Sequence, residues 1–229
     1  MKPLRITAGV VNAVCLLPLA LYFCVQLPTF SIWFYEHEYA KNGTYEQINV
    51  EKDDLRDVTL HMIDYMRGKE EQLNIETYVA GEPRLFFSER EISHMEDVHG
   101  LFKAGVILRN VSAILFVATA VFLLWPRSGG LVTMMKSWRA AAISVLAAAV
   151  LVGVTIAVSF EKAFTVFHEI FFTNDLWLLD PEVDLLVNIV PTPFFMDIAL
   201  FIGVLFALTL AVIGTSAAVV LRGKRRAAA

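Results

Sequence analysis

Cysteine is scarce in this sequence of 229 residues: it has only Cys15 and Cys24, and both lie in the first long apolar stretch. The polar segments therefore have no cysteine, which excludes a disulfide framework or a thiolate metal site in them. The sequence also lacks a GxSxG elbow, a Walker loop and a GxGxxG fingerprint, which are typical of α/β-hydrolases, P-loop NTPases and dinucleotide-binding enzymes. Histidine and carboxylate side chains remain as candidates for acid–base chemistry.

Long apolar runs, by contrast, are abundant. Hydrophobic residues make up 57% of the chain and the mean hydropathy is +0.60, which indicates an integral membrane protein. A helix needs roughly 20 apolar residues to cross about 30 Å of hydrocarbon, and four stretches are long enough: 6–27, 104–125, 140–160 and 198–221. The first is too long for the apolar core of a signal peptide and no small-residue cleavage pattern follows it, so we expect a retained anchor.

These spans predict the fold class and the domain organisation. We expect an all-α membrane protein in which residues 1–229 form a single integral membrane domain. Four transmembrane helices would carry two extracellular loops, 28–103 and 161–197, and these loops would contain short interfacial helices.

Acidic residues are absent from three parts of the chain: the N-terminus, the segment between the second and third spans, and the C-terminus. These parts contain nine of the 19 lysines and arginines, whereas all 23 aspartates and glutamates lie elsewhere. The positive-inside rule therefore predicts that both termini are cytoplasmic and that both long loops are outside. Because the basic C-terminal cluster is typical of a membrane stop, nucleic acid is not an expected partner.

The first loop contains a candidate acid–base pair. Ser88 and Glu91 have the spacing of a capping box, which predicts that a helix begins here and runs towards the second span. On this helix Arg90, His94 and Asp97 share one face. A carboxylate beside a histidine raises the basicity of the imidazole and selects its tautomer. The alternative is an ordinary exposed pair of residues one turn apart.

The second loop combines phenylalanines with ionisable residues, which an inert connection between helices does not need. His168 closely follows the third span, and a short amphipathic helix is predicted over 180–190. The mixture indicates a site at the lipid–water boundary. Arg109, at the outer end of the second span, either snorkels to the interface or binds an anionic headgroup or an oxyanion. In the first loop a further helix is predicted over 49–67 from its apolar spacing.

A metal centre receives little support from these residues. His168 and Glu169 do not begin a zincin motif, because position 172 is Phe where the second histidine would stand. Zinc held by His94, His168 and a carboxylate would lack the usual ligand spacing. We therefore predict no metal site and no cofactor.

Two loop segments resemble those of a known family. They read EREISHMEDV, at 89–98, and FHEIFFTNDLWLLDPEVDLLVNIVPTPFF, at 167–195. Both are similar to the outer-loop signatures of the Lit-type bacterial lipoprotein intramolecular transacylases. The four-span layout and the chain length also resemble that family, so the resemblance covers essentially the whole chain.

The resemblance implies an acyltransferase of the bacterial plasma membrane, with its active site at the outer leaflet. Its partners would be membrane lipid and lipoproteins that carry a diacylglyceryl group on their N-terminal cysteine. Enzymes of this kind move the sn-2 acyl chain from the glycerol oxygen to the cysteine α-amino group, which gives the lyso-form lipoprotein. This aminolysis needs a base for the amine and donors for the oxyanion, but no cofactor.

Expected roles follow for individual residues. The two motif histidines of the family fall on His94 and His168; His168 is the expected base or proton shuttle and His94 its partner, although the roles could be exchanged. Asp97 and Asp175 are expected to orient the imidazoles. The candidate oxyanion donors are Arg90, Arg109, Asn174 and Trp177. The phenylalanines expected to contact acyl chains are Phe167, Phe171, Phe172, Phe194 and Phe195.

Two other functions remain open at this point. One is a metal-dependent hydrolase or protease at the membrane surface, which would need bound zinc and would be inhibited by chelators. The other is a non-catalytic membrane protein that binds lipid or lipoprotein, in which the histidines are polar packing residues.

Overall fold

The computed structural model describes residues 2–125 and 129–227. Its elements in chain order are α1 (Lys2–Thr29), α2 (Ile32–Asn42), α3 (Thr44–Ile48), α4 (Lys52–Met66), β1 (Glu76–Val79), β2 (Glu82–Leu85), α5 (Glu89–Leu124), α6 (Leu131–Val158), α7 (Phe160–Phe171), α8 (Leu186–Ile189) and α9 (Thr192–Arg226). They form two compact units. We call Met1–Val25, Gly105–Val158 and Phe201–Ala229 the membrane unit, and Gln26–Ala104 and Ser159–Leu200 the loop unit.

Four helices, α1, α5, α6 and α9, are long and apolar enough to cross a membrane, which confirms the four predicted spans. Each helix begins before its predicted apolar stretch, whereas α5 and α6 end one and two residues before the predicted boundaries. With 36 residues, α5 is about 54 Å long at 1.5 Å per residue. Side chains such as Leu151 and Val158 are 71% and 79% exposed. Large apolar side chains in such positions suit contact with lipid.

One polar side chain joins three helices inside the membrane unit. Asn12 of α1 is fully buried, and its Nδ2 donates to the Phe116 carbonyl and to Thr119 Oγ1 of α5, both at 2.9 Å. Its Oδ1 accepts from Trp138 Nε1 of α6 at 2.8 Å. Because a polar group in hydrocarbon is costly unless it is satisfied, these bonds fix the contacts among the three helices.

In the loop unit the helix predicted over 49–67 is present as α4. Its apolar stripe is buried, with Leu55 and Val58 fully inaccessible. Gly68 follows the helix with a φ of +73°, the left-handed conformation in which glycine commonly terminates a helix. The stripe packs into one hydrophobic cluster with residues of α2, α5 and α8.

A small β-hairpin was not predicted. Strands β1 and β2 pair antiparallel, with Glu76 opposite Leu85 and Val79 opposite Glu82. Ala80 and Gly81 form the turn at φ values of 53° and 80°, as a two-residue type I′ turn requires. Every residue of β2 is exposed, so the strand lacks the alternation of apolar and polar residues by which strands are recognised.

The helix predicted over 180–190 is wrong in extent, because only α8 is helical. Residues 180–184 instead form a turn in which the backbone N–H of Asp184 donates to the Asp180 carbonyl at 2.7 Å. The Asp184 carboxylate accepts from the Asp180 N–H at 2.8 Å and from the Ser88 hydroxyl at 2.9 Å. Val183 is 67% exposed, so the predicted apolar stripe does not form; Leu186 enters the core instead.

Candidate functional site

The loop unit holds His94 on the first turns of α5, and the start of this helix is fixed by its cap. The Ser88 N–H donates to Glu91 Oε2 at 2.6 Å, and the Glu91 N–H donates to Ser88 Oγ at 3.2 Å. This reciprocal pair is the predicted capping box. It fixes where the helix begins, and therefore the direction in which the side chains one and two turns later project.

Glu91 does more than cap the helix. Its side chain is 1% exposed, and its Oε1 accepts a hydrogen bond from the Leu186 N–H. Burial, above all, raises the pKa of the Glu91 carboxyl, while the bonds from Ser88 and Leu186 oppose that rise. One carboxylate thus joins the start of α5 to the start of α8, and this role was not predicted from sequence.

His168 lies on α7 and is 7% exposed. Its Nδ1 is 2.7 Å from the Phe164 carbonyl, one turn earlier on the same helix. A carbonyl only accepts, so Nδ1 carries the proton, and in the neutral ring Nε2 carries the lone pair. The Trp177 ring lies over the imidazole, with centroids 4.8 Å apart and planes inclined by 30°. The ring is therefore held in one orientation and one tautomer.

His94 lies close to His168. Their ring centroids are 6.1 Å apart, and the Phe172 ring approaches His94 edge-on at 5.2 Å. His94 is 8% exposed, and its Nδ1 has no hydrogen-bond partner among the described residues. The two imidazoles are therefore neighbours in the loop unit, and their shared catalytic role stays a prediction.

The surroundings lower the pKa of both imidazoles and so favour their neutral forms. His94 precedes the apolar span that begins at Ala104, and its pKa is lowered to about 4, first by burial and then by the neighbouring His168. Burial also lowers the pKa of His168, although the bond to the Phe164 carbonyl opposes the shift. Two adjacent imidazoles in an apolar site favour the uncharged form of each.

The polar residues around the histidines contact one another rather than the imidazoles. Asn174 Nδ2 donates to Asp97 Oδ2 at 2.8 Å, and the Arg90 guanidinium donates to the backbone carbonyl of Asp175. Trp177 Nε1 donates to the Asn174 carbonyl at 3.0 Å. These bonds connect α5 to the segment after α7.

Several predicted roles differ from this arrangement. A backbone carbonyl orients His168, and no bond from Asp97 or Asp175 to either imidazole is present among the described residues. The Trp177 ring contacts His168 in a tilted arrangement, and its N–H already donates to a carbonyl. Arg109 belongs to the membrane unit, where it contacts the ring and hydroxyl of Tyr22. Of the four proposed oxyanion donors, Arg90 has N–H groups beyond the one it uses here.

The predicted acyl-chain residues fall into two groups. Phe167 and Phe171 are 43% and 51% exposed, and their rings are 4.7 Å apart. Phe172 is buried against His94, and Phe195 packs on Phe164. Phe194 is 2% exposed within the core of the loop unit, which makes it a packing residue in this structure.

No group of three or more His, Cys, Asp or Glu side chains within 2–125 and 129–227 is placed to hold a metal ion. Among these described residues, the two histidines lie together without a third ligand of that kind beside them. That the reaction proceeds without a metal stays a prediction.

A family model described as lipoprotein intramolecular transacylase Lit matches residues 10–195. Among solved structures, that of the membrane-integral lipoprotein intramolecular transacylase Lit from Bacillus cereus has a TM-score of 0.81 at 19% identity and covers 99% of this chain and 100% of that one. Two further structures of the B. cereus protein, with one histidine replaced by Arg or by Ala, have TM-scores of 0.78 and 0.75 at 18% and 19% identity. They cover 99% and 98% of this chain and 96% and 97% of theirs. A comparison with curated protein sequences gave no match.

Proposed function

The chain belongs to the lipoprotein intramolecular transacylase Lit family, and we propose that it moves the sn-2 acyl chain of a diacylglyceryl-cysteine to the α-amino group of that cysteine. It is a multi-pass bacterial membrane protein and an acyltransferase that acts on lipoproteins. The observation that carries the finer proposal is the pair of buried imidazoles 6.1 Å apart, one of them fixed by a carbonyl on Nδ1.

The proposed reaction begins with attack of the amine nitrogen on the sn-2 carbonyl carbon. The cyclic intermediate contains N, Cα, Cβ, S, a glycerol CH₂, the glycerol CH, the ester oxygen and the carbonyl carbon. Flexible rings of this size close slowly in solution because many rotations must be frozen together. A site that holds the lipid and the amine in one conformation removes much of that cost before the chemical step.

His168 is the proposed base. Its Nε2 carries the lone pair, because Nδ1 donates to the Phe164 carbonyl. Nε2 takes the amine proton as the C–N bond forms, and the imidazolium returns this proton to the glycerol oxygen as the C–O bond breaks. The lowered pKa of His168 makes the imidazole a weaker base but makes its protonated form a stronger acid for the leaving oxygen. No group is consumed, and the product is an isomer of the substrate.

His94 and Arg90 are the proposed partners in charge stabilisation. His94 faces His168, and Arg90 lies one turn before it on the same face of α5. A neutral imidazole can donate one N–H, and a guanidinium can donate several, to the oxygen that becomes negative in the intermediate. The exposed rings of Phe167 and Phe171 are the proposed contacts for the acyl chains.

The function is tested with two synthetic diacylglyceryl lipopeptides of different peptide length, one of them with isotopically labelled acyl chains. Incubated together with the purified protein, each should give an N-acylated product of unchanged mass that carries its own label, because the transfer is intramolecular. EDTA should leave the rate unchanged. Crossover of label would contradict intramolecular transfer, and release of free fatty acid with inhibition by EDTA would indicate the metal hydrolase. An unmodified substrate would indicate a binding protein.

The pH dependence should be set by the substrate and not by the histidines. An α-amino group titrates at about 7.7–8.0 and an ordinary histidine at about 6.5. Because the pKa values of His94 and His168 are lowered, the neutral form of both rings still predominates when the pH falls to 6.5. We expect log kcat/KM to fall with a slope of one below about pH 8, as a single group becomes protonated. No second change of slope should appear near pH 6.5. A second ionisation between 6.5 and 7 would contradict this environment.

The folded fraction of the protein must also be measured at each pH of this experiment. An unfolded histidine takes up a proton near pH 6.5, whereas His94 in the folded protein does so only near pH 4. The unfolded state therefore binds more protons between these values, and the stability that His94 contributes above pH 6.5 is lost as the pH falls towards 4. Circular dichroism at each pH separates this loss from a change in catalysis.

We also propose that both termini are cytoplasmic and that the site faces the outer leaflet, from the distribution of acidic residues. Single cysteines at Asn42 and Asp180, each introduced into a chain without Cys15 and Cys24, should react with a membrane-impermeant maleimide on intact cells. A cysteine at Lys136 should react only after the cells are opened. Labelling at Lys136 on intact cells, with protection at Asp180, would show that the orientation is the opposite of the one proposed.

A further inference from the structure

A cavity of about 880 Å³ in the membrane unit lies along α1 and α6. It is lined by three cationic residues from the first two turns of these helices, Lys2 and Arg5 of α1 and Lys136 of α6. Farther along the two helices the walls are mainly apolar, with Val10 and Val14 from α1 and Ala141 from α6. The cavity therefore suits an amphiphilic ligand, because part of its lining is positively charged and the rest is hydrophobic.

The close approach of α1 and α6 explains why the cavity has defined walls. A Cβ atom at Gly9 would lie 2.9 Å from Ser137 Oγ and 3.0 Å from the Thr133 methyl carbon, so a larger residue here would displace these side chains. Both hydroxyl residues also line the cavity and add hydrogen-bond donors beside the cations.

The three cations have no negative partner in their own unit. The ranges 1–25, 105–158 and 201–229 contain none of the 23 aspartates and glutamates of the chain, and no described ion pair includes Lys2, Arg5 or Lys136. Positive charge at a membrane end is common, but ordinary interfacial lysines need no cavity beside them. A convergent set of cations at the mouth of an apolar groove favours an anion that has hydrocarbon chains attached.

We propose that this cavity binds an anionic glycerophospholipid. The phosphate lies among Arg5, Lys136 and Lys2, and one acyl chain follows the wall formed by Val10, Val14 and Ala141. The proposal does not depend on the transacylase reaction: it concerns a lipid that is bound and not converted, in the unit that does not contain the histidine pair.

The test measures lipid binding to the delipidated full-length protein by native mass spectrometry, with phosphatidylglycerol and phosphatidylcholine of identical chains. We expect tighter binding of phosphatidylglycerol, and the double variant Arg5→Gln/Lys136→Gln should bind it on the order of 10- to 30-fold more weakly, since each cation near a headgroup contributes a several-fold effect. The matched control is Lys224→Gln/Arg225→Gln, which removes the same charge from α9 outside the cavity lining and should bind as the wild type does.

Two further arms test the shape of the cavity. Ala141→Phe fills the apolar wall without changing charge and should weaken phosphatidylglycerol binding, and glycerol 3-phosphate, which has no chains, should not compete. The proposal is overturned if the wild type binds the two lipids equally, if both double variants lose binding equally, or if glycerol 3-phosphate competes. It is also overturned if a folded Ala141→Phe protein, verified by circular dichroism, binds as the wild type does.

Discussion

His168→Ala should lower kcat/KM for lyso-lipoprotein formation about 100- to 10,000-fold, the usual range for loss of a general base, while the protein still folds and inserts. The Phe164 carbonyl holds Nδ1 at 2.7 Å, so the variant loses the Nε2 atom proposed to take the amine proton. His94→Ala should cause a loss of similar order, because His94 faces the same reaction volume. The measurement is the initial rate of N-acyl lipopeptide formation by each purified variant.

His61→Ala is the matched control for these variants. His61 lies on α4, where its Nε2 is 2.9 Å from the Gln72 carbonyl at an exposed position, and its replacement should change the rate little. Added imidazole should partly restore His168→Ala, because a small base can enter the space left by the ring, whereas a purely structural loss would not respond. Near wild-type rates in both His94→Ala and His168→Ala would show that histidine catalysis is wrong.

The membrane-spanning part of this fold is predictable from sequence because one effect dominates it. A backbone in hydrocarbon must satisfy its own hydrogen bonds, so a sufficiently long apolar run in this chain forms a helix. The ends of α1 and α5 were less predictable, since both helices continue into polar sequence. Similarly, the turn at 180–184 replaces a predicted helix because Asp184 bonds to Ser88, far away in the chain.

The candidate site was only partly predictable for the same reason. The capping box and the face shared by Arg90 and His94 are local features, and helical spacing is enough to find them. His94 and His168 are far apart in the sequence, so residue spacing could not predict that they lie together. That expectation came from the family resemblance. The carbonyl that orients His168 and the ring contact of Trp177 have no signature in the sequence. Any helix has a backbone carbonyl one turn before a histidine, and an aromatic side chain on any loop can contact it.

Glu91→Ala should destabilise the loop unit while leaving both histidines in place. It removes the acceptor for the N–H groups of Ser88 and Leu186, of which the bond to Leu186 is buried. An unsatisfied buried donor costs about 1–3 kcal/mol, so loss of the buried Leu186 N–H bond alone should cost the variant roughly 1–3 kcal/mol of unfolding free energy. Activity should fall as well, because the start of α5 carries Arg90 and His94. The measurements are thermal unfolding in detergent and the transacylation rate.

Glu89→Ala is the matched control, since it removes the same side chain from an exposed position in the same turn of α5 and should change stability by less than about 0.5 kcal/mol. Glu91→Gln should fall between the two, because its amide oxygen can serve one N–H while its NH₂ group faces the other. Faster proteolysis of residues 173–186 in Glu91→Ala would locate the loss at the contact with α8. If Glu91→Ala unfolds at the same temperature as Glu89→Ala, the buried carboxylate does not hold these segments together, and other contacts of α5 must position His94.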